Sequence, residues 1–214
     1  MKKHKVTFLL DKTNLWFENT LKNHKSKLPK KYIYKISKNS KTIQNQDIVF
    51  AISYTKILPV NFLLKNKLVL VPHPSKLPKD KGFAPVQHQV LKNKKKIFVS
   101  LIKAVKKVDA GPICIQNFFN LNGTELSDEL RKKQGLAYLR IISDFLKKFP
   151  NIKFRDQTGK GNFNKKRIPK DGKLNINKTI KEQFNHLRIN DNNLYPSHFY
   201  HKSNKYIIKI FKDN

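Results

Sequence analysis

A single cysteine, Cys114, occurs in 214 residues, so the chain can form neither an internal disulfide nor a multi-cysteine metal site, which fits a reducing compartment. Within the apolar run Ile113-Cys114-Ile115 it reads as a small core residue rather than a nucleophile. Long apolar runs are also lacking: none approaches the ~20 residues that cross a bilayer. The stretch after Met1-Lys2-Lys3-His4-Lys5 stops at Asp11, too short for a secretion signal. A cytoplasmic protein with no membrane span is expected. Acid is scarcest of all, with 14 Asp and Glu against 46 Lys and Arg and a formal charge of +32. Such a surface attracts anions, including nucleic acid. The basic residues nevertheless spread from Lys2 to Lys212 without a dense tail, which reads as a compositional bias of the whole chain. Zinc-ligand spacing, a basic heptad region and an RNA-recognition cluster of Gly and aromatics are all missing. A dedicated nucleic-acid module is therefore not favoured, although contact through charge stays open. No repeat of solenoid period occurs.

What is present is an alternation of buried strands and helices. Val6 to Leu10 reads as a buried first strand, and Asn14 to Lys25 as a helix through Leu15, Phe17 and Leu21. Lys31 to Ile36 alternates like a strand, and Asp47 to Ile52 is the near-continuous apolar run of a central parallel strand. Leu68 to Val71 repeats that pattern and is expected to halt at Pro72. Residues 72–84 then form a proline-rich loop, Pro85 to Lys92 a helix with proline in its first turn, and Ile97 to Lys103 and Gly111 to Phe119 two more strands. Thr124 to Phe149 is the longest helical segment, with Ser127 as expected N-cap and a stripe of Leu130, Ala137, Tyr138, Ile141, Phe145 and Leu146. Together these predict an α/β fold, an open, mostly parallel sheet flanked by helices. The predicted organisation is a catalytic domain over 1–150, a polar linker over 151–172 and a small C-terminal α+β appendage over 173–214. That appendage has a helix at Ile180 to Arg188 and strands at His198 to Tyr200 and Tyr206 to Phe211.

Chemistry is expected where a strand delivers His73 into the loop stiffened by Pro72, Pro74 and Pro78, since ligands of open α/β sheets bind at strand carboxyl ends. Imidazole exchanges protons near neutral pH. Asp109 also follows an apolar segment and precedes Ala110-Gly111, where a tight backbone admits a ligand. A carboxylate beside an imidazole would orient it, as in catalytic triads.

The stretch His73-Pro74-Ser75-Lys76-Leu77-Pro78-Lys79-Asp80-Lys81-Gly82-Phe83-Ala84-Pro85, followed by Val108-Asp109-Ala110-Gly111-Pro112-Ile113, resembles the signature of the 10-formyltetrahydrofolate-dependent formyltransferases. That family carries Asn-x-His-x-Ser-x-Leu-Pro, then a basic residue and Gly, and later Asp-x-Gly. The resemblance covers residues 45–120 well and the rest loosely. It implies a Rossmann-like sheet, a folate co-substrate without a metal, and catalysis by His73 positioned by Asp109. A substrate amine would attack the formyl carbon, with the oxyanion stabilised and protons shuttled by these side chains. Ser53, Tyr54 and Ile57, with Leu70 and Val71 of the strand before His73, would wall the folate pocket, and Ser75 and Lys81 would lie near donor and acceptor. One position departs from the pattern: Val71 stands where the family has asparagine, and loss of one oxyanion donor costs on the order of 100- to 1000-fold in rate. Another donor, a slow reaction or a non-catalytic relative would each follow from that.

Three branches compete. Glycinamide ribonucleotide formyltransferase opens with a Gly/Ser-rich phosphate loop, whereas Leu10-Asp11-Lys12-Thr13-Asn14 stands here. Methionyl-tRNA formyltransferase continues into a C-terminal barrel, which Lys166-Arg167-Ile168-Pro169, the segment Ile180 to Arg188 and Tyr195-Pro196 resemble at its entrance. The short sugar N-formyltransferases fit the length, so the expected acceptor is a nucleotide-linked amino sugar for surface polysaccharides. Its pyrophosphate would suit Lys79, Lys81 and Arg167, and its ring would stack on Phe83 or Tyr200. The C-terminal strands are expected to allow a homodimer.

Overall fold

The computed structural model describes residues 3–12 and 15–213. The predicted helix start at Asn14, and Thr13 beside it, lie outside the described residues. Strand β1 (His4–Leu10) leads through helix α1 (Leu15–His24) to β2 (Tyr32–Ser37), then β3 (Ile48–Ile52), α2 (Val60–Leu64) and β4 (Val69–His73). A two-residue strand β5 (Lys81–Gly82), helix α3 (Pro85–Leu91), and strands β6 (Lys96–Lys103) and β7 (Ile113–Asn120) follow, then the long α4 (Ser127–Lys148). The chain closes with β8 (Phe163–Asn164), α5 (Ile180–Ile189), β9 (Ser197–His201) and β10 (Asn204–Ile208).

Six strands form the central sheet in the order β2-β1-β3-β4-β6-β7. The first four are parallel, while β6 pairs antiparallel with β4 and β7 antiparallel with β6. The expected open, mostly parallel α/β sheet is therefore present. Its last two strands join by a hairpin-type connection that needs no crossover helix, and this connection carries Asp109. The five residues of β3 are all buried, as their unbroken apolar run requires of a strand covered on both faces.

The main core lies between the sheet and helices α1 and α4, where Phe8, Phe17, Phe50, Leu70, Tyr138 and Phe145 pack together. The predicted stripe on α4 is buried throughout. Its N-cap is Leu126, one residue before the expected Ser127: the Leu126 N–H donates to Glu129 Oε2 at 2.8 Å. The reciprocal carboxylate of a capping box thus starts the helix without a capping hydroxyl.

Strand β4 runs two residues further than its composition suggests. Its register with β3 ends at Leu70, so on that side the N–H missing from Pro72 costs no ladder bond. Pairing with β6 carries it on to His73, opposite Ser100. His73 is thus the last residue of a strand rather than part of the loop. By strand alternation it shares the face of Val71, opposite the one that buries Leu70 among the α4 residues.

The polar segment after α4 is tied back to the sheet. The Arg155 N–H donates to Ile113 O at 2.9 Å, and β8 pairs in parallel with β5. Beyond it, β9 and β10 form a hairpin. The C-terminal part docks on the start of α4 through the buried Arg188, which donates to Glu125 O at 3.1 Å. No helix among the described residues is long and apolar enough to cross a membrane.

Candidate active site

Both ring nitrogens of His73 face acceptors. Nε2 lies 2.9 Å from the backbone carbonyl of Asp80, and Nδ1 lies 3.5 Å from Asp109 Oδ1. A carbonyl can only accept, so Nε2 carries a hydrogen in this geometry, and Nδ1 is the nitrogen turned toward the carboxylate. The two side chains are 6% and 12% exposed, and their interaction is accordingly poorly screened by solvent.

Asp109 is fixed independently of the histidine. Its backbone is left-handed at φ 51, its Oδ2 accepts the Gly82 N–H at 2.8 Å, and its carbonyl accepts from Gln157 Nε2 at 2.8 Å. The same amide donates to Gly111 O at 2.9 Å, so the segment predicted as a linker buttresses the site. Gly111 allows this path because a Cβ there would collide with the Lys103 carbonyl.

Asp80 is the buried neighbour that composition alone did not single out as a site residue. Its carboxylate takes Lys92 Nζ at 3.0 Å and Lys94 Nζ at 3.1 Å, and its N–H donates to Asn162 Oδ1 at 2.9 Å. Burial pushes its pKa up, but the hydrogen bonds from Lys92 and Lys94 outweigh this and hold it at about 2. The sequence did contain a signal: Asp80 is the sole acidic residue between Asp47 and Asp109. Nothing in the linear order announces Asn162 or Gln157, which come from the segment that follows α4 in the chain.

The other expected site residues divide. Ser53 follows β3 at φ 45 and bonds the buried Tyr138, whose phenol is raised well above its usual range chiefly by burial. Tyr54 is half-buried and donates to Ser40 Oγ at 3.2 Å. With Leu58, Val71 and Ala104 it borders one apolar cluster beside β4. Ile57 is 77% exposed. Leu70 is fully buried in the main core and so forms no pocket wall. Ser75 is likewise fully buried: its hydroxyl donates to Lys79 O at 2.7 Å and its carbonyl accepts from Ser100 Oγ at 2.7 Å. It staples the loop to β6 and is closed to a substrate.

Lys79 is exposed, Lys81 is half-buried, and Phe83 is 44% exposed, all on the segment over His73. Arg167 is not gathered with them; it donates to Asp171 O and Asn190 Oδ1, both at 3.0 Å, within the C-terminal part. Tyr200 sits on β9, stacked under Lys173. A surface hollow of about 480 Å³ lies there, beside Lys173, Leu174 and Tyr200, with none of the His73 group in its wall. Chemistry rather than hollow size locates the candidate site.

The formyl transferase family model matches residues 5–146. Methionyl-tRNA formyltransferase of Thermotoga neapolitana is 36% identical over 117 residues, 53% of this chain and 37% of that protein. The chain therefore spans well under half the length of that relative. Among solved structures, methionyl-tRNA formyltransferase from Clostridium thermocellum aligns over 99% of this chain and 94% of its own, with a TM-score of 0.83 at 17% identity. A sugar N-formyltransferase from Shewanella aligns over 99% and 98%, with a TM-score of 0.72 at 15% identity.

Proposed function

The chain belongs to the formyl transferase family, and from that premise we propose that it moves a formyl group from 10-formyltetrahydrofolate to a primary amine, with His73 and Asp109 as its catalytic residues. The observation that carries this reading is the pair itself, an imidazole nitrogen and a carboxylate 3.5 Å apart and largely removed from solvent. The amine nitrogen bonds to the formyl carbon and gives up a proton, the bond from that carbon to folate N10 breaks, and N10 gains a proton. His73 Nδ1 takes the first proton and returns it for the second, and Asp109 stabilises the imidazolium between the two events.

The residues present fit the folate donor. Tyr54, Leu58, Val71 and Ala104, half-buried around one apolar cluster, offer a flat heteroaromatic ring an apolar wall next to β4. Leu70 and Ser75 take no part in this reading.

For the acceptor, the sequence relatives and the charge of +32 support an aminoacyl-tRNA, since a polycationic surface attracts a polyphosphate chain. The nucleotide-linked amino sugar is the second reading, favoured by Lys79 and Lys81 flanking Asp80 over His73, where a pyrophosphate would find two cations. Arg167, engaged within the C-terminal part, is left out of it. The test is a formyl-transfer assay with 10-formyltetrahydrofolate against methionyl-tRNA and a panel of nucleotide-linked amino sugars. His73→Ala and Asp109→Ala are each expected to lower kcat at least 100-fold. Equal turnover in all three chains would remove the assigned roles, and the acceptor that saturates decides between the two readings.

A further inference from the structure

We propose that Asp80 is a positioning residue: its backbone carbonyl, held in place by the Lys92–Asp80–Lys94 ion cluster, keeps the His73 proton on Nε2 and leaves Nδ1 as the nitrogen that exchanges protons. The proposal deepens the formyl-transfer reading and rests on it for its kinetic arm. It also reassigns a role, because the triad analogy gives the orienting task to Asp109.

Distances separate the two candidates. The Asp80 carbonyl is at hydrogen-bond range of the ring, 2.9 Å, whereas the Asp109 carboxylate stands at 3.5 Å, outside the ordinary N–H···O range. Asp109 gives one oxygen, Oδ2, to the Gly82 N–H at 2.8 Å and keeps Oδ1 on the ring side at that longer distance. It is thus placed to balance charge on Nδ1 rather than to hold the ring.

A carbonyl orients a ring only if it is itself fixed, and four contacts fix this one. The Asp80 N–H is bound by Asn162 Oδ1, the next N–H, of Lys81, donates to Asn162 O at 3.0 Å, and the side chain is clamped by two ammonium groups arriving from beyond α3. The lysine side chains are 51% and 42% exposed while the carboxylate is 4% exposed. Two well-hydrated lysines therefore pin one buried carboxylate, and the peptide unit with it. Asp80 also holds φ 56, a left-handed backbone that Asp and Asn adopt more readily than most residues. The groups facing the cluster are His73 and Asp109 on the ring side and Lys92 and Lys94 on the carboxylate side.

Substitution Asp80→Asn keeps the side-chain shape and the backbone preference and removes the charge. The paired change Lys92→Met with Lys94→Met removes the clamp from its exposed end and leaves the loop sequence intact. Long-range 1H–15N correlation of the imidazoles, with His73 identified by its loss in His73→Gln, reads the tautomer directly. The native chain should show a single Nε2–H form, and both variants a mixture of the two tautomers. In the assay, kcat should fall about tenfold, with a displaced pH profile and an unchanged KM for the folate donor. A His73 proton on Nδ1 in the native chain would overturn the proposal. An Nε2–H form that persists unmixed in both variants would do the same. A native chain that shows the expected tautomer behaviour but transfers no formyl group would sink the functional reading instead and leave this one standing.

Discussion

Val71 is half-buried and apolar, and it stands where the formyltransferase signature has an asparagine. A valine cannot donate to a developing oxyanion, so under the proposed reaction the donor missing here has to come from a backbone N–H or be done without. Val71→Asn is expected to raise kcat by about 10- to 100-fold, read in single-turnover assays. Unchanged kcat would mean that another donor already serves. His73 and Asp109 were legible in the sequence because the motif that resembles the formyltransferases is written in their side chains, and the structure brings the two within 3.5 Å. Asp80 was not, because what it offers His73 is a carbonyl that every residue possesses.

Asp80 and Glu125 also set the response to acid. Burial raises both pKa values, but lysine and backbone donors overcompensate and hold each at about 2. An unfolded carboxylate titrates near ~4, so each group binds protons more weakly when folded. Their stabilisation is complete above about pH 4 and disappears as pH falls through about 2. Denaturant midpoints should therefore drop steeply across that window, and Asp80→Asn should flatten part of the drop. A midpoint in the native chain that stays level between pH 4 and 2 would contradict the assignment.

At the level of elements, periodicity located α1, α3, α4, α5 and the buried strands, because α4 and β3 owe their patterns to one apolar stripe and one apolar run, but it passed over α2, whose five residues are too few to show a helical period. It failed where pairing decides. Strand β4 passes through Pro72 because β6 continues its ladder, and β5 and β8 are two-residue strands that exist only because each meets the other. That small pair matters to the site, since it fixes the Gly82 N–H on Asp109. Gly82 has φ +87, and a Cβ there would stand 2.6 Å from Asn164 O. The change Gly82→Ala is thus expected to push β5 from β8 and loosen Asp109. Activity should fall by more than tenfold while thermal unfolding, governed by the α4 core, shifts by only a few degrees, on the order of 1 kcal/mol. A large loss of melting temperature at unchanged kcat would assign β5–β8 to stability instead.

At the scale of the whole molecule, the excess of cations separates the two acceptors. A chain at +32 that engages a tRNA neutralises many phosphates and releases their counterions, so acceptor affinity must fall as a high power of salt concentration. A nucleotide-linked sugar presents only its pyrophosphate, and its affinity should fall as no more than about the second power. The folate donor carries only the carboxylates of its glutamate tail, so it serves as a low-charge comparison whose affinity should fall as no more than about the second power of salt. Measuring KM for acceptor and donor between 50 and 300 mM salt therefore reads the charge directly. A logarithmic slope of 1/KM against salt steeper than about −4 for methionyl-tRNA, with a shallow one for the donor, is the expected result. A shallow slope for every acceptor would mean that the lysines spread from one end of the chain to the other are solvated bystanders, and that recognition rests on the few cations, Lys79 and Lys81, beside His73.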